Sequence, residues 1–164
     1  MNENQIEKLH GLLKAFSTVM LVTMDGGEGH ARPMAVARVD EKTDLWLFTS
    51  RGSAKVREIK ADARVQVLGQ DGWTSCVALV GHAQVVEDRA LVRDMWRPAF
   101  KVWFPGGAED PEIVLLHIKG ERAEYWDGTG LNGFSYLYQS IKAVAMGTTP
   151  EIREGDQHGI VTLA

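Results

Sequence analysis

Apolar residues recur at two different spacings along this chain. Ile6, Leu9, Leu13 and Phe16 fall every three or four positions, which predicts an opening amphipathic helix. From residue 17 the period shortens. "STVMLVTM" (17–24) is short and rich in β-formers, "DGGEG" (25–29) is a turn, and "HARPMAVARVD" (30–40) alternates. Ala31, Pro33, Ala35, Ala37 and Val39 share one side of that strand, and Arg32, Met34, Val36 and Arg38 the other. Pro33 has no N–H for a ladder, so an edge or bulge is expected there. "LWLFT" (45–49) is a third strand, and residues 53–60 a short helix with Ser50 or Ser53 at its N-cap.

Further strands are expected over 63–70, 74–87 and 113–127, with an Asp71-Gly72 hairpin turn and a bend or bulge at Gly81. Between them, Asp88 caps a helix through about Phe100, which Pro98 kinks or ends, and 104–112 is a loop. A last helix is expected over 134–146, from Phe134, Leu137, Tyr138, Ile141 and Ala145, stopped by Gly147. A short strand follows at 158–163. Strands joined by tight turns with helices inserted around them predict a mainly β fold, a small antiparallel barrel with peripheral helices. No repeat or linker divides the 164 residues, so one domain over 1–164 is expected.

Composition narrows the function classes. The formal charge is −4 with no Lys/Arg tract, which argues against a nucleic-acid surface. No signal-peptide segment or membrane-length apolar run is present, so a soluble cytoplasmic domain is expected. The single cysteine, Cys76, excludes an intrachain disulfide framework and reads as packing, and the five histidines show no metal-ligand spacing.

Candidate chemistry gathers in "LWLFTSRGSAKVREI" (45–59), where a buried strand hands over to a helix. A helix N-terminus offers unpaired N–H groups and partial positive charge; Thr49, Ser50 and Ser53 add hydroxyls, and Lys55 a full charge. The alternative is a helix cap beside a solvated lysine. Arg32, on the neighbouring strand, can approach the same anion, or can pair with Glu58 or Asp44.

The order "VMLVTM", "HARPM", "LWLFTSRGSAKVREI", "ARVQV", "GHAQVVED", an aromatic-Pro-Gly-Gly loop and "AEYWD" resembles the FMN-binding split barrel of pyridoxamine 5′-phosphate oxidase-like proteins, most closely its general stress protein branch. The resemblance covers nearly the whole chain. It implies a split β-barrel of six to seven mostly antiparallel strands, and a homodimer with two FMN sites at its interface, FAD being the lesser alternative. It implies phosphate binding by Arg32, Ser53 and Lys55, with Phe48 and Thr49 matching the family's strand-three end. Backbone from Pro33 and Met34 onward would line the isoalloxazine. Trp103 and Phe104 are candidates for apolar cover of the ring, or else Phe104 and Trp103 staple their own loop. Trp46 reads as core, and Trp126 as core or interface. No catalytic acid, base or metal ligand is assigned. After Trp126 the only firm cations are Lys142 and Arg153, a departure from vitamin B6 oxidases. Three readings follow: an FMN-dependent oxidoreductase of a small molecule, a flavin-storing or -sensing protein, or a split barrel that binds another ligand.

Overall fold

The opening periodicity forms the helix it predicts, α1 (Glu3–Ala15), with Leu9 and Leu13 buried. The structure is a computed structural model and describes residues 3–72, 74–128, 141–143, 145–147, 149 and 157–163. Strands β1 (Thr18–Asp25), β2 (Glu28–Val39) and β3 (Leu45–Ser50) form a meander, followed by α2 (Ala54–Ala61). A second meander comprises β4 (Arg64–Asp71), β5 (Ser75–Val86) and β6 (Ile113–Asp127), with α3 (Arg89–Met95) and two 3-10 turns (Pro98–Val102, Gly107–Glu109) between β5 and β6. The strand β7 (His158–Thr162) pairs with β6.

The sheet order is β3-β2-β1-β4-β5-β6-β7, and β3 also pairs with β6. Six antiparallel strands therefore close into a barrel, and β7 is added outside the ring on the second half of β6. Alternation sorts the side chains. Leu45 and Leu47 face the barrel interior with Val19, Leu21, Met34, Val67, Leu79, Leu116 and Ile118. Trp46 and Phe48 face outward and pack under α3 and the first 3-10 turn, with Met95, Phe100, Ile113 and Leu115. A register shift between Val36 and Arg38 keeps both faces of β2 occupied: Val36 and Val39 pack on the interior, Ala37 on the outer cluster.

Several boundaries move from those the sequence predicts, each for a local reason. The turn expected over 25–29 contracts to Gly26-Gly27, since both adopt positive φ (59° and 91°), as a two-residue hairpin loop requires, and Asp25 pairs with Glu28. Asp88 caps α3 as expected, accepting from the Ala90 and Leu91 N–H groups. The helix stops at Met95 and not near Phe100, because Arg97, preceding Pro98, is held extended (φ −129°, ψ 145°). Pro98 then opens a separate 3-10 turn. Pro33 lies where β2 has β1 on one side and no β3 partner yet on the other, since β3 pairing begins at Val36. Of the helix expected over 134–146, residues 141–143 and 145–146 are helical; 134–140 lie outside the described residues. Among the described residues no helix is long and apolar enough to cross a membrane.

Gly81 sits at the irregularity between β5 and β6, where Val80 pairs with Arg122 but Gly81 with Gly120. The two backbones approach so closely there that a Cβ on Gly81 would lie 2.0 Å from the Lys119 carbonyl oxygen. Gly81→Ala must open the ladder, and thermal unfolding should show a loss of about 1–3 kcal/mol. An unchanged Tm would contradict this close approach.

Candidate functional site

The barrel interior is apolar until the end where β1 and β2 meet their hairpin. On β1 the inward row runs Val19, Leu21 and then Thr23, which is fully buried. Across from Leu21 on β2 stands Arg32. On β3 the row Leu45, Leu47 ends in buried Thr49. Helix α2 lies over this end. Its Val56 and Ile59 join the core, while Lys55 and Glu58, three residues apart on one face, meet the polar strand ends.

Two coupled groups result. In the first, Thr23 Oγ1 donates to Glu58 Oε2 and accepts from Arg32 Nη1, while Arg32 Nη2 donates to the same Glu58 oxygen at 2.8 Å. His30 Nδ1 lies 3.2 Å from the other oxygen, Oε1. The Glu58 side chain is only 3% exposed. The Thr23 hydroxyl, followed by His30 and Arg32, holds its carboxyl down at about 2 from an ordinary 4.5, against the opposing effect of burial. In the second group, Lys55 Nζ donates to Thr49 Oγ1 at 3.2 Å, and Thr49 Oγ1 lies 3.2 Å from Ser53 Oγ. Ser53 occupies the N-cap of α2 but makes no side-chain cap bond, so the simple cap reading fails and the hydroxyl faces Thr49.

The charges of the two groups are unequal. Arg32 has its carboxylate. Among the described residues no carboxylate lies within ion-pair distance of Lys55. Burial first, and then the neighbouring Arg32 charge, push the Lys55 ammonium below its ordinary 10.5, with Glu58 opposing from a distance. A half-buried cation beside a second cation, two hydroxyls and the open N–H groups of a helix start has the chemistry to accept an anion.

The structure brings Arg32, Thr49, Ser53 and Lys55 to one barrel end. Ser50 is exposed at the tip of β3, and its carbonyl accepts from the Ser53 N–H. Pro33 is exposed on the β2 edge, and the Met34 side chain is buried in the barrel. Phe48 faces outward, with Phe100 edge-on at 4.8 Å and Phe104 at 6.3 Å, so Phe104 staples its own loop. Trp103 is 61% exposed and lines a different feature. That feature is a cleft of about 1460 Å³ between α1, the end of β2 and the first 3-10 turn. Trp46 belongs to its wall and is only half-buried, correcting its expected place in the core; it stacks on His117 at 4.0 Å, and His117 Nε2 lies 2.8 Å from Asp44 Oδ2. Trp126 is exposed on the sheet.

Arg32 pairs with Glu58, the first of the two alternatives to an anion contact that the sequence left open. Thr23 and the part of His30 in this network were not found from sequence. The signal for Thr23 was a hydroxyl in an otherwise apolar inward row, "VMLVT".

The family model for pyridoxamine 5′-phosphate oxidase like proteins matches residues 4–151. Protein bli-3 of Neurospora crassa is 30% identical over 135 residues, 75% of this chain and 65% of that protein; the chain thus spans about two thirds of that relative. A structure from Jannaschia sp. CCS1 assigned to general stress protein 26 superposes with TM-score 0.77 at 24% identity, covering 98% of this chain and 99% of the other. The general stress FMN/FAD binding protein of Xanthomonas citri superposes with TM-score 0.66 at 31% identity, covering 79% and 92%.

Glu58 gives the site a defined acid response. Its carboxyl is depressed in the fold, so its contribution to stability is complete above pH 4.5 and lost as pH falls towards about 2. Glu58→Gln should destabilise the protein at neutral pH by about 1–3 kcal/mol. The difference from the unmodified protein should close between pH 4.5 and 2. A pH-independent difference in denaturant midpoints would refute the assignment.

Proposed function

The chain belongs to the pyridoxamine 5′-phosphate oxidase-like family, and from that premise we propose that it is an FMN-binding flavoprotein acting as an oxidoreductase on a small molecule. The observation that carries this reading is Lys55: half-buried, without a carboxylate of its own, and grouped with Arg32, Thr49 and Ser53. The name of the Xanthomonas citri relative points the same way.

The residues present fit the cofactor. Arg32, Lys55 and the hydroxyls of Thr49 and Ser53 would hold the phosphate. Thr23 and Glu58 hold the Arg32 guanidinium in place beside them. The edge of β2 before Val36 has no β3 ladder partner, so its backbone polar groups can serve the polar edge of the ring. From Arg32 to Ala35, where the cleft begins, the strand advances about 10 Å. The flavin supplies the two-electron chemistry; the protein anchors and orients it, and its outer aromatic cluster shields the strand beneath.

We propose a homodimer as well. Met20, Leu68, Val80, Trp126 and Ile160 are large apolar side chains left exposed on the outward face of β1, β4, β5, β6 and β7. Met20 and Leu68 are direct cross-strand partners. Large apolar side chains exposed on one face of neighbouring strands are what an association face would use.

An absorbance spectrum after mixing with FMN and removing the excess tests the cofactor. Retained flavin bands are expected, and a colourless protein would refute the reading. Turnover with a nicotinamide donor then separates an oxidoreductase from a flavin carrier. Arg32→Ala and Lys55→Ala should each weaken FMN binding by about 1.5–3 kcal/mol. Affinity should decline with rising pH before the ordinary lysine value of 10.5, as Lys55 loses its proton. For the dimer, light scattering should give twice the monomer mass, and Leu68→Glu should give monomers; a monomeric unmodified protein refutes the assembly.

A further inference from the structure

Glu58 is an anion built into the middle of an anion receptor. Its Oε2 takes Arg32 Nη2 at 2.8 Å and the Thr23 hydroxyl, and its Oε1 faces His30 at 3.2 Å. The Asp25 carboxylate completes the charged groups around it, lying with His30 and Glu58 inside one 4.8 Å cluster. We infer that Glu58 is a resident counter-anion: it holds Arg32 ready through Thr23 and, by keeping part of that guanidinium's charge, weakens the binding of an incoming phosphate. The inference rests on the phosphate cradle proposed above.

The geometry divides the work. Thr23 and Glu58 use two of the five N–H donors that a guanidinium carries, and the rest remain for a ligand. The Thr23 hydroxyl, accepting from Arg32 and donating to Glu58, closes a triangle that fixes the guanidinium in place. Arg32 is therefore positioned before any ligand arrives. The charge runs the other way. Arg32 and Lys55 bring two positive charges, Glu58 offsets the Arg32 charge directly, and Asp25 adds a second carboxylate beyond His30. A phosphomonoester dianion therefore meets a reduced positive charge, with a carboxylate of its own sign directly bonded to the guanidinium. In a partly buried site such repulsion is not screened away as it is in bulk water. The same carboxylate relieves the Arg32 charge while the cradle is empty, so it stabilises the free protein at the expense of binding.

Glu58→Gln keeps the shape and the acceptor oxygen but removes the charge. FMN should bind about tenfold more tightly to this variant at low ionic strength, a change of about 1.4 kcal/mol. The gain should shrink as salt is raised. Riboflavin, which has no phosphate, should bind both proteins equally. Arg32→Gln together with Glu58→Gln should show a smaller gain, because the carboxylate acts mainly on that guanidinium. FMN binding that is unchanged or weaker in Glu58→Gln overturns the inference and leaves the cradle standing, as does a parallel change in riboflavin binding. If neither protein binds FMN, the flavin reading fails, and inorganic phosphate decides the inference alone: tighter in the variant upholds it, equal or weaker overturns it. Should Glu58→Gln not fold, Glu58→Asp, which withdraws the charge by one methylene, should give a smaller gain in the same direction, and no gain there overturns the inference.

Discussion

The pairing of β3 with β6 is the constraint on which the rest of this molecule depends. Leu45 to Ser50 lie against Ile118 to Ile113 and turn an open sheet into a ring. Closing the ring creates an inside that must be filled, and alternation along every strand then decides each residue's surroundings. Leu45 and Leu47 go inward, Trp46 and Phe48 outward, and the outward pair needs α3 and the 3-10 turn as a second cover. Thr49 goes inward too, at the last rung of the barrel. Closure delivers that hydroxyl to Lys55.

The polar end of the barrel shows how a buried charge cluster is tolerated. Each Glu58 oxygen has a donor, the Arg32 guanidinium has both a carboxylate and a hydroxyl, and Ser53 turns from its cap to Thr49. Among the described residues Lys55 has no carboxylate within ion-pair distance. Networks in which every member but one is matched are costly in a merely structural role, because one unmatched charge lowers the stability of the free protein with no return. That asymmetry is what supports a binding role over a purely structural one, and it lies in the placement of one ammonium group.

Much of the fold was legible because periodicity is a local property. The strand read from "LWLFT" is β3, and β6 spans the residues its pattern predicts. Asp88 signalled the start of α3, but its end was less plain: apolar spacing continued past Met95 while Pro98 restricted the backbone before it. Of the site, the residues in contiguous motifs were readable: Thr49, Ser53 and Lys55, with Arg32 brought in by the hairpin order. Thr23 was not, because its role comes from a triangle formed by β1, β2 and α2 together. Trp46 was misplaced for a related reason. A large apolar side chain in a strand says nothing of which face it takes until the ring has closed.

That closure also separates, in time, two things that are joined in space. Every residue of the anion cluster lies between Thr23 and Glu58, yet the strand that seals β3 begins at Ile113. Contacts spanning so much chain are slow to form, since the intervening loop must be ordered first. A chain emerging from the ribosome therefore carries the complete cradle sequence long before it owns a rigid cradle. Its β3 edge stays bare until the second meander arrives. During that interval the bare edge of β3 is open to pairing with other strands, and only the arrival of β6 covers it.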